Sequence, residues 1–198
     1  GGTRTEGPEG RLNAWPLNEA YLDGVKGNPK GGLIHRPEVP ITREALLARN
    51  TTKDEAEVTL GWHAIEFMLW GQDHAVDGPG ARAWTDFEGA DAAPTRRRAY
   101  LALVATLLVE DLEGLVAAWA PGGENYASDF TKLAEPKALG HIMTAMATLS
   151  GFELGSERIA VPLDSRSQED EHSCFSDTTH QDIWANAAGI YEVYMGDE

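Results

Sequence analysis

The chain has 198 residues, of which 42% are hydrophobic and six are tryptophan, so its composition predicts a folded protein with a substantial core. Its 32 acidic and 16 basic side chains give a formal net charge of −16, which repels phosphate backbones and excludes nucleic acid as an expected partner. The single cysteine, Cys174, excludes an internal disulfide and a cysteine-rich zinc or iron–sulfur site. No apolar run approaches the roughly 20 residues that span a bilayer.

The first part of the chain, residues 1–53, is dense in Gly, Pro and Asn and predicts irregular backbone with short helical turns at about Leu17–Val25 and Arg43–Ala48. From residue 54 the pattern becomes helical, and Gly71 is the expected end of that helix. A second irregular connection follows.

The clearest helix is predicted from about Arg96 to Trp119, because its apolar residues recur at steps of three and four and indicate a core face. Those residues are Leu101, Val104, Leu108, Leu112, Leu115 and Trp119. A third helix is predicted over about Lys137–Arg158. A fourth is expected after SDTT, where Thr178 and Gln181 have capping-box spacing. Alternating β patterns are almost absent, so the sequence predicts an all-α bundle with long irregular connections.

The stretch GWHAIEFMLWGQD places His63 and Glu66 inside the most apolar run of the chain. On a helix, residues three apart share a face, so both side chains can reach one cation. The alternatives are a buried His–Glu hydrogen bond or a salt bridge from Glu66 to an arginine such as Arg158, since an unpaired buried carboxylate is costly. Gly61 falls inside the predicted helix, where glycine costs about 1 kcal/mol relative to alanine, and it predicts a close neighbour.

The stretch QEDEHSCFSDTTHQD is the densest set of potential ligands and contains Glu169, His172, Ser173 and Asp177. Its simpler interpretation is a solvated acidic loop in which Ser176 or Asp177 caps the following helix. Glu169 and His172 have the spacing used in di-iron bundles, but those need two such motifs on regular helices.

The stretch SGFELGSER places Glu153 and Glu157 on the stripe that is apolar further upstream, so both are predicted to point inward, with Arg158 as their counter-charge. A structural Glu–Arg network and a contribution to a cation site are both open at this point.

Together, several stretches in order resemble the imelysin family, also called imelysin-like peptidases or iron-regulated proteins. They are GPEGRLNAWPLNEAY, GWHAIEFMLWGQD, GPGARAWTDF, LLVEDLEGLVAAWAPGGENYASDF and LSGFELGSERIAVPLDSRSQEDEHSCFSDTTHQDI. The resemblance implies one imelysin-like domain over residues 1–198, with a loop-rich segment 1–53 and a helical core 54–198. It implies two helical-bundle subdomains around a cleft, and a chain that lacks the family's first and last helices.

The resemblance also implies where the site lies. Its G-x-H-x-x-E motif falls on Gly61, His63 and Glu66, which makes His63 and Glu66 the expected metal ligands. The further cleft candidates are Glu153, Arg158, Glu169, His172, Ser173 and Asp177.

For function, the resemblance implies a bacterial protein of the periplasm or outer membrane, with a lipid anchor in the full-length protein, that binds a metal ion and serves iron uptake. The metal would be divalent or ferric, with Fe, Zn and Cu as candidates, and a small ligand or a cell-envelope protein would be a further partner. The alternatives are a metallopeptidase, for which the sequence shows an incomplete catalytic set, and a non-catalytic binding module with a structural His–Glu pair.

Overall fold

The computed structural model describes residues 7–196, and across these residues it contains helices and connections but no β-strand. The predicted all-α class is confirmed. The chain divides into two compact units, Gly1–Gly114 (unit 1) and Leu115–Glu198 (unit 2). The division falls within the longest helix.

In its described part, unit 1 contains short helices joined by long connections, followed by most of the long helix α5. They are α1 (Glu9–Leu12), α2 (Glu19–Leu22), a 3₁₀-helix (Leu33–His35), α3 (Arg43–Leu47), α4 (Trp62–Trp70), a second 3₁₀-helix (Trp84–Phe87) and α5 (Ala92–Trp119). The predicted turns near Leu17–Val25 and Arg43–Ala48 are therefore confirmed as α2 and α3.

The core of unit 1 is apolar and is built from α2 to α5, the first 3₁₀-helix and the connections between them. Its most deeply buried side chains are Leu22, Ile34, Leu46, Val58, Leu60, Phe67, Met68, Tyr100 and Val104. A fully buried side chain of this kind contributes about 1.5–3 kcal/mol, so the core is the main source of stability in this unit.

The predicted helix over residues 54–71 is wrong in its first half, because α4 begins only at Trp62. Thr59 lies fully buried in the preceding non-helical segment, where its backbone N–H donates to Asn50 Oδ1 at 2.8 Å and its hydroxyl donates to Leu46 O at 2.9 Å. Tyr100 closes the arrangement by donating its hydroxyl to Thr59 O at 2.7 Å. These bonds satisfy buried backbone groups that a helix would otherwise have to satisfy, so the segment is stable without helical structure.

The long helix α5 buries its apolar stripe only in its first half. Val104 and Leu108 are buried as predicted, whereas Leu112 is 37% exposed and Trp119 is 53% exposed. The expectation that the whole stripe is a core face is therefore wrong beyond Leu108.

In its described part, unit 2 continues with shorter helices and one long one. They are α6 (Tyr126–Thr131), α7 (Glu135–Ala147), a π-helical segment (Thr148–Ala160), α8 (Val161–Ser165), a 3₁₀-helix (Gln168–Asp170) and α9 (Thr179–Met195). The segments from α7 to α8 follow each other without a break, and α9 packs against the π-helical segment. The third predicted helix, Lys137–Arg158, is thus real but changes its winding at Thr148.

Pro162 lies where the π-helical segment passes into α8. A proline inside a continuous α-helix has no N–H for the i−4 bond, and its ring clashes with the carbonyl four residues earlier. Ala160 keeps a right-handed helical conformation, so the chain continues through this position without a break. The Val161 N–H bonds Ser156 O, five residues earlier, so the wider winding is present directly before the proline.

The start of α9 and the burial of its side chains differ from the sequence prediction. Its N-cap residue is Thr178, not Ser176 or Asp177, and Thr178 makes no side-chain capping bond, so the predicted capping box is wrong. The Thr178 hydroxyl instead pairs with the Ser176 hydroxyl at 2.8 Å. Along the described part of α9, Thr179 is the one residue that is buried.

Among residues 7–196, no helix is both long enough and apolar enough to span a bilayer.

Candidate functional site

The candidate site in unit 1 begins at Gly61, which is the N-cap of α4 and not an interior helical residue as the sequence suggested. Gly61 has φ +92° and ψ −173°, a conformation that is essentially restricted to glycine. A Cβ atom at this position would lie 2.5 Å from Leu12 O and 2.9 Å from Arg11 O. The predicted close neighbour is therefore confirmed: it is the backbone at the end of α1.

His63 and Glu66 lie on one face of α4, one turn apart, as their spacing predicts. His63 Nδ1 lies 3.0 Å from Glu66 Oε2, and the two residues are only 2% and 9% exposed. An ionised Glu66 can only accept, so in this contact the Nδ1–H group donates and the lone pair of the ring lies on Nε2. The imidazole ring also packs against the Trp15 indole, with 4.8 Å between ring centroids and an interplanar angle of 56°.

This arrangement corresponds to one of the alternatives left open by the sequence, a buried His–Glu hydrogen bond. It is also the geometry by which a carboxylate fixes the tautomer and orientation of a metal-binding histidine. The pair can therefore act in either way, as a structural contact or as an oriented ligand.

In unit 2, Glu153 and Arg158 are brought together within the π-helical segment. Arg158 Nη1 donates to Glu153 Oε2 at 3.1 Å, and the Arg158 side chain is buried while that of Glu153 is 41% exposed. Residues five apart lie about 140° around an α-helix but closer together around the wider π-helix, so the π-helical winding brings this pair nearer. Glu157 is exposed, and the prediction that it points inward is wrong.

The ligand-rich loop of unit 2 also contains a defined cluster, centred on Asp182. Asp182 Oδ2 accepts from Ser173 Oγ at 2.5 Å and lies 2.9 Å from His172 Nδ1. The Ser173 backbone N–H donates to Thr179 Oγ1 at 3.0 Å, which holds the loop against the start of α9. Ser173 and His172 thus meet through Asp182, which is nine and ten positions away from them; it belongs to the same ligand-rich stretch but is not among the cleft candidates.

The remaining candidates of that loop are spread along it. Asp177 has a positive φ of 54° and its Oδ1 lies 3.4 Å from Gln168 Nε2, while Glu169 lies in the 3₁₀-helix Gln168–Asp170. Across residues 7–196, no group of three or more His, Cys, Asp and Glu side chains is close enough to hold a metal ion.

Unit 1 also contains a buried charge network, centred on Asp23, that lies outside the candidate residues predicted from the sequence. This aspartate is fully buried and receives a bidentate pair of hydrogen bonds from Arg97, at 2.7 and 3.0 Å, and one from Arg82 at 2.9 Å. The Gly24 backbone N–H donates to Asp23 Oδ1 at 2.7 Å, and His35 Nε2 lies 3.3 Å from the same oxygen.

Electrostatics shift the pKa values of this network in definite directions. Burial by itself raises the pKa of Asp23, but the hydrogen bonds and charges of Arg97 and Arg82 outweigh it and hold that pKa below its usual value. Burial lowers the pKa of Arg82 despite the nearby Asp23 carboxylate. Asp23 is therefore the shared counter-charge of two buried guanidinium groups.

One signal in the sequence does point toward this network: the run Arg96-Arg97-Arg98 in the first turns of an otherwise apolar helix. Cations are unfavourable near a helix N-terminus, so such a run indicates that the chain supplies acceptors elsewhere. Arg96 does bond backbone carbonyls, those of Leu33, Ile34 and Val39, at 2.7–2.9 Å.

The peptidase-family model described as Imelysin matches residues 3–198 of the chain. A search of the curated proteins finds no match. The match covers nearly the whole chain and confirms the resemblance stated from the sequence.

Proposed function

Because the chain belongs to the imelysin family, we propose that it is an extracytoplasmic bacterial protein that binds iron as cargo for uptake, with His63 and Glu66 at the binding site. The observation that carries the proposal is the buried contact of 3.0 Å between His63 Nδ1 and Glu66 Oε2. When Nδ1–H donates to this carboxylate, a neutral imidazole has its lone pair on Nε2, which is how a carboxylate hydrogen-bonded to a histidine prepares it as a metal ligand.

The donor chemistry fits the proposed cargo. Imidazole nitrogen and carboxylate oxygen suit Fe, Zn and Cu better than they suit soft-ligand metals. The acidic composition of the chain, with a formal net charge of −16, supports the proposal because it raises the local concentration of cations. The location in the periplasm or at the outer membrane is part of the same proposal.

The small number of protein ligands favours a carrier over a metallopeptidase. A catalytic zinc site takes three protein ligands and a general base, whereas the described residues contain no group of three suitable side chains. A carrier must release its metal, and a site with few protein ligands is suited to release. The peptidase alternative predicts that an unstructured protein such as casein is cleaved when zinc is supplied.

A second candidate function is a binding module in which the His63–Glu66 pair is structural. The observation that favours it is the enclosure of His63, which is 2% exposed and packs against Trp15. This candidate predicts that His63→Ala lowers the melting temperature and leaves metal binding unchanged.

A titration with Fe, Zn and Cu separates these functions. Glu66→Gln keeps the size of the side chain but removes the negative charge that favours Nδ1–H, so we expect metal affinity to fall about 10–100-fold with little change in melting temperature. His63→Ala should abolish the same binding. The matched control is His74→Ala, which alters an exposed histidine.

Unchanged metal affinity in the double variant His63→Ala/Glu66→Ala would reject the proposed site. Circular dichroism on each variant shows whether the helices are intact, so a loss of binding is not confused with a loss of fold.

A further inference from the structure

A pocket of about 450 Å³ lies in unit 1 beside the C-terminal end of α4, which is the opposite end from Gly61. Its volume is within the range of about 300–1,000 Å³ that is typical of small-molecule sites. The pocket is lined by three segments of the chain: Gly24 and Lys26, then residues 70–75, then residues 79–82 with Asp86. Neither His63 nor Glu66 contributes to it.

Hydrogen bonds hold the three lining segments to one another, so the pocket is a built feature and not a gap between loose loops. The Lys26 backbone N–H donates to Gln72 Oε1 at 2.6 Å, and the Arg82 backbone N–H donates to Trp70 O at 2.9 Å. Gly80 lies so close to α4 that a Cβ atom there would approach Trp70 O to 2.6 Å. The walls are therefore positioned before any ligand arrives, which lowers the cost of binding.

Two cationic side chains line the pocket, those of Arg82 and Lys26. Arg82 donates to the buried Asp23, which also accepts from Arg97. Among the described residues, Arg82 Nε is a buried donor without a hydrogen-bond partner. Lys26 is exposed. These two cations favour an anionic group of a ligand.

Two aspartates also line the pocket. Asp86 has its side chain 45% exposed, and its carboxylate forms an ion pair with Arg82 Nη1 at 3.7 Å, a distance beyond that of a hydrogen bond. Asp73 also lines the pocket, and its Oδ1 accepts the Ala75 backbone N–H at 2.9 Å. The lining thus presents charges of both signs, together with apolar surface from Trp70, Pro79 and Ala81.

We propose that this pocket binds a small zwitterion of the amino-acid type. Its carboxylate would be held by Lys26 and Arg82, its ammonium group by Asp86 and Asp73, and its side chain would contact Trp70. A purely anionic ligand would be opposed by two aspartates, and a purely cationic one by Arg82 and Lys26. A ligand that carries both charges meets lining residues of opposite charge with each of its charged groups.

The test uses the whole chain and the common L-amino acids, added one at a time at about 10 mM. We expect at least one of them to raise the unfolding midpoint by about 3 °C, as a ligand with a dissociation constant near 1 mM would do. Calorimetry on that amino acid is then repeated with its N-acetyl derivative, which lacks the ammonium group, and with its amide, which lacks the carboxylate. Each derivative should bind at least about tenfold more weakly, because each loses a charge-assisted contact.

Variants of exposed lining residues locate the binding. Lys26→Ala and Asp86→Asn should each weaken it about tenfold, and Ala81→Phe should block the pocket. The matched controls Lys30→Ala and Asp77→Asn alter exposed residues of the same types outside the lining.

The proposal is overturned if no amino acid binds, if the N-acetyl derivative binds as tightly as the parent, or if the lining variants bind like the controls. The result is independent of the proposed iron site, because His63→Ala should leave amino-acid binding unchanged.

Discussion

Replacing Asp23 with asparagine should destabilise unit 1 more than any other single loss of charge in its described part. The side chain is fully buried, and it accepts three hydrogen bonds from Arg97 and Arg82 as well as one from the Gly24 backbone. Asparagine has nearly the same shape but no charge, and its NH₂ group donates where a carboxylate oxygen accepts. Two guanidinium groups would then remain in the interior without their buried counter-charge, and of the described carboxylates only that of the partly exposed Asp86, 3.7 Å from Arg82 Nη1, would be near them.

The size of the effect follows from the burial of the partners. The side chains of Arg82 and Arg97 are only 6% and 11% exposed, so water cannot replace the lost charge. Breaking a buried ion pair by removing one partner costs about 3–5 kcal/mol. Because natural domains have only about 5–15 kcal/mol of stability, Asp23→Asn should bring unit 1 close to unfolding.

Urea denaturation measures this loss of stability, and hydrogen exchange of the α4 amides assigns it to unit 1. The matched control Asp77→Asn removes a carboxylate that is exposed, and it should change the free energy of unfolding by less than about 0.5 kcal/mol. A double variant with Arg97→Met should recover part of the loss, because it removes one of the two unpaired cations. A loss below about 1 kcal/mol for Asp23→Asn, or no recovery in the double variant, would refute the reasoning.

Three further predictions concern stability. Gly61→Ala should lower the free energy of unfolding by at least about 2 kcal/mol, because its Cβ atom would lie 2.5 Å from Leu12 O in a backbone conformation that only glycine adopts readily. A melting temperature equal to that of the control Gly114→Ala would contradict this. Tyr100→Phe should cost about 1–3 kcal/mol, measured by urea denaturation, because it leaves the buried Thr59 carbonyl without its hydroxyl donor. The pKa of Asp23 is lower when folded than unfolded, so its stabilisation is complete above the ordinary aspartate pKa of about 4 and is lost as pH falls through the folded value. In the Asp23→Asn variant, the free energy of unfolding should therefore depend less on pH in the acid range. An unchanged dependence on pH would contradict the role given to Asp23.

Local patterns were sufficient for the helices that are long and periodic. The stripe of α5 predicted a helix over Arg96–Trp119 and the structure has one from Ala92 to Trp119, because helical periodicity depends only on residues three and four apart. The same reasoning extended α4 too far toward the N-terminus. There, side-chain hydrogen bonds from distant residues such as Asn50 and Tyr100 replace helical ones, and no local pattern indicates them.

The candidate site shows the same division. The shared face of His63 and Glu66 could be read from their spacing, and their 3.0 Å contact bears it out. The pairing of Arg158 with Glu153 was also expected from the sequence, whereas the π-helix that carries both residues was not. The contact of His172 with Asp182 depends on a loop that folds back on α9, and a loop has no periodic residue pattern from which such a contact could be predicted.

By itself, the sequence determined the helical class, the family and the shared helix face of His63 and Glu66, since each of these depends on residue type and short-range spacing. Only the tertiary structure decided which charges are shared in the interior. Asp23 meets Arg82 and Arg97 across separations of 59 and 74 residues. Contacts at such distances along the chain arise from the packing of whole segments, so the network and the pocket beside it become visible only when the chain is folded.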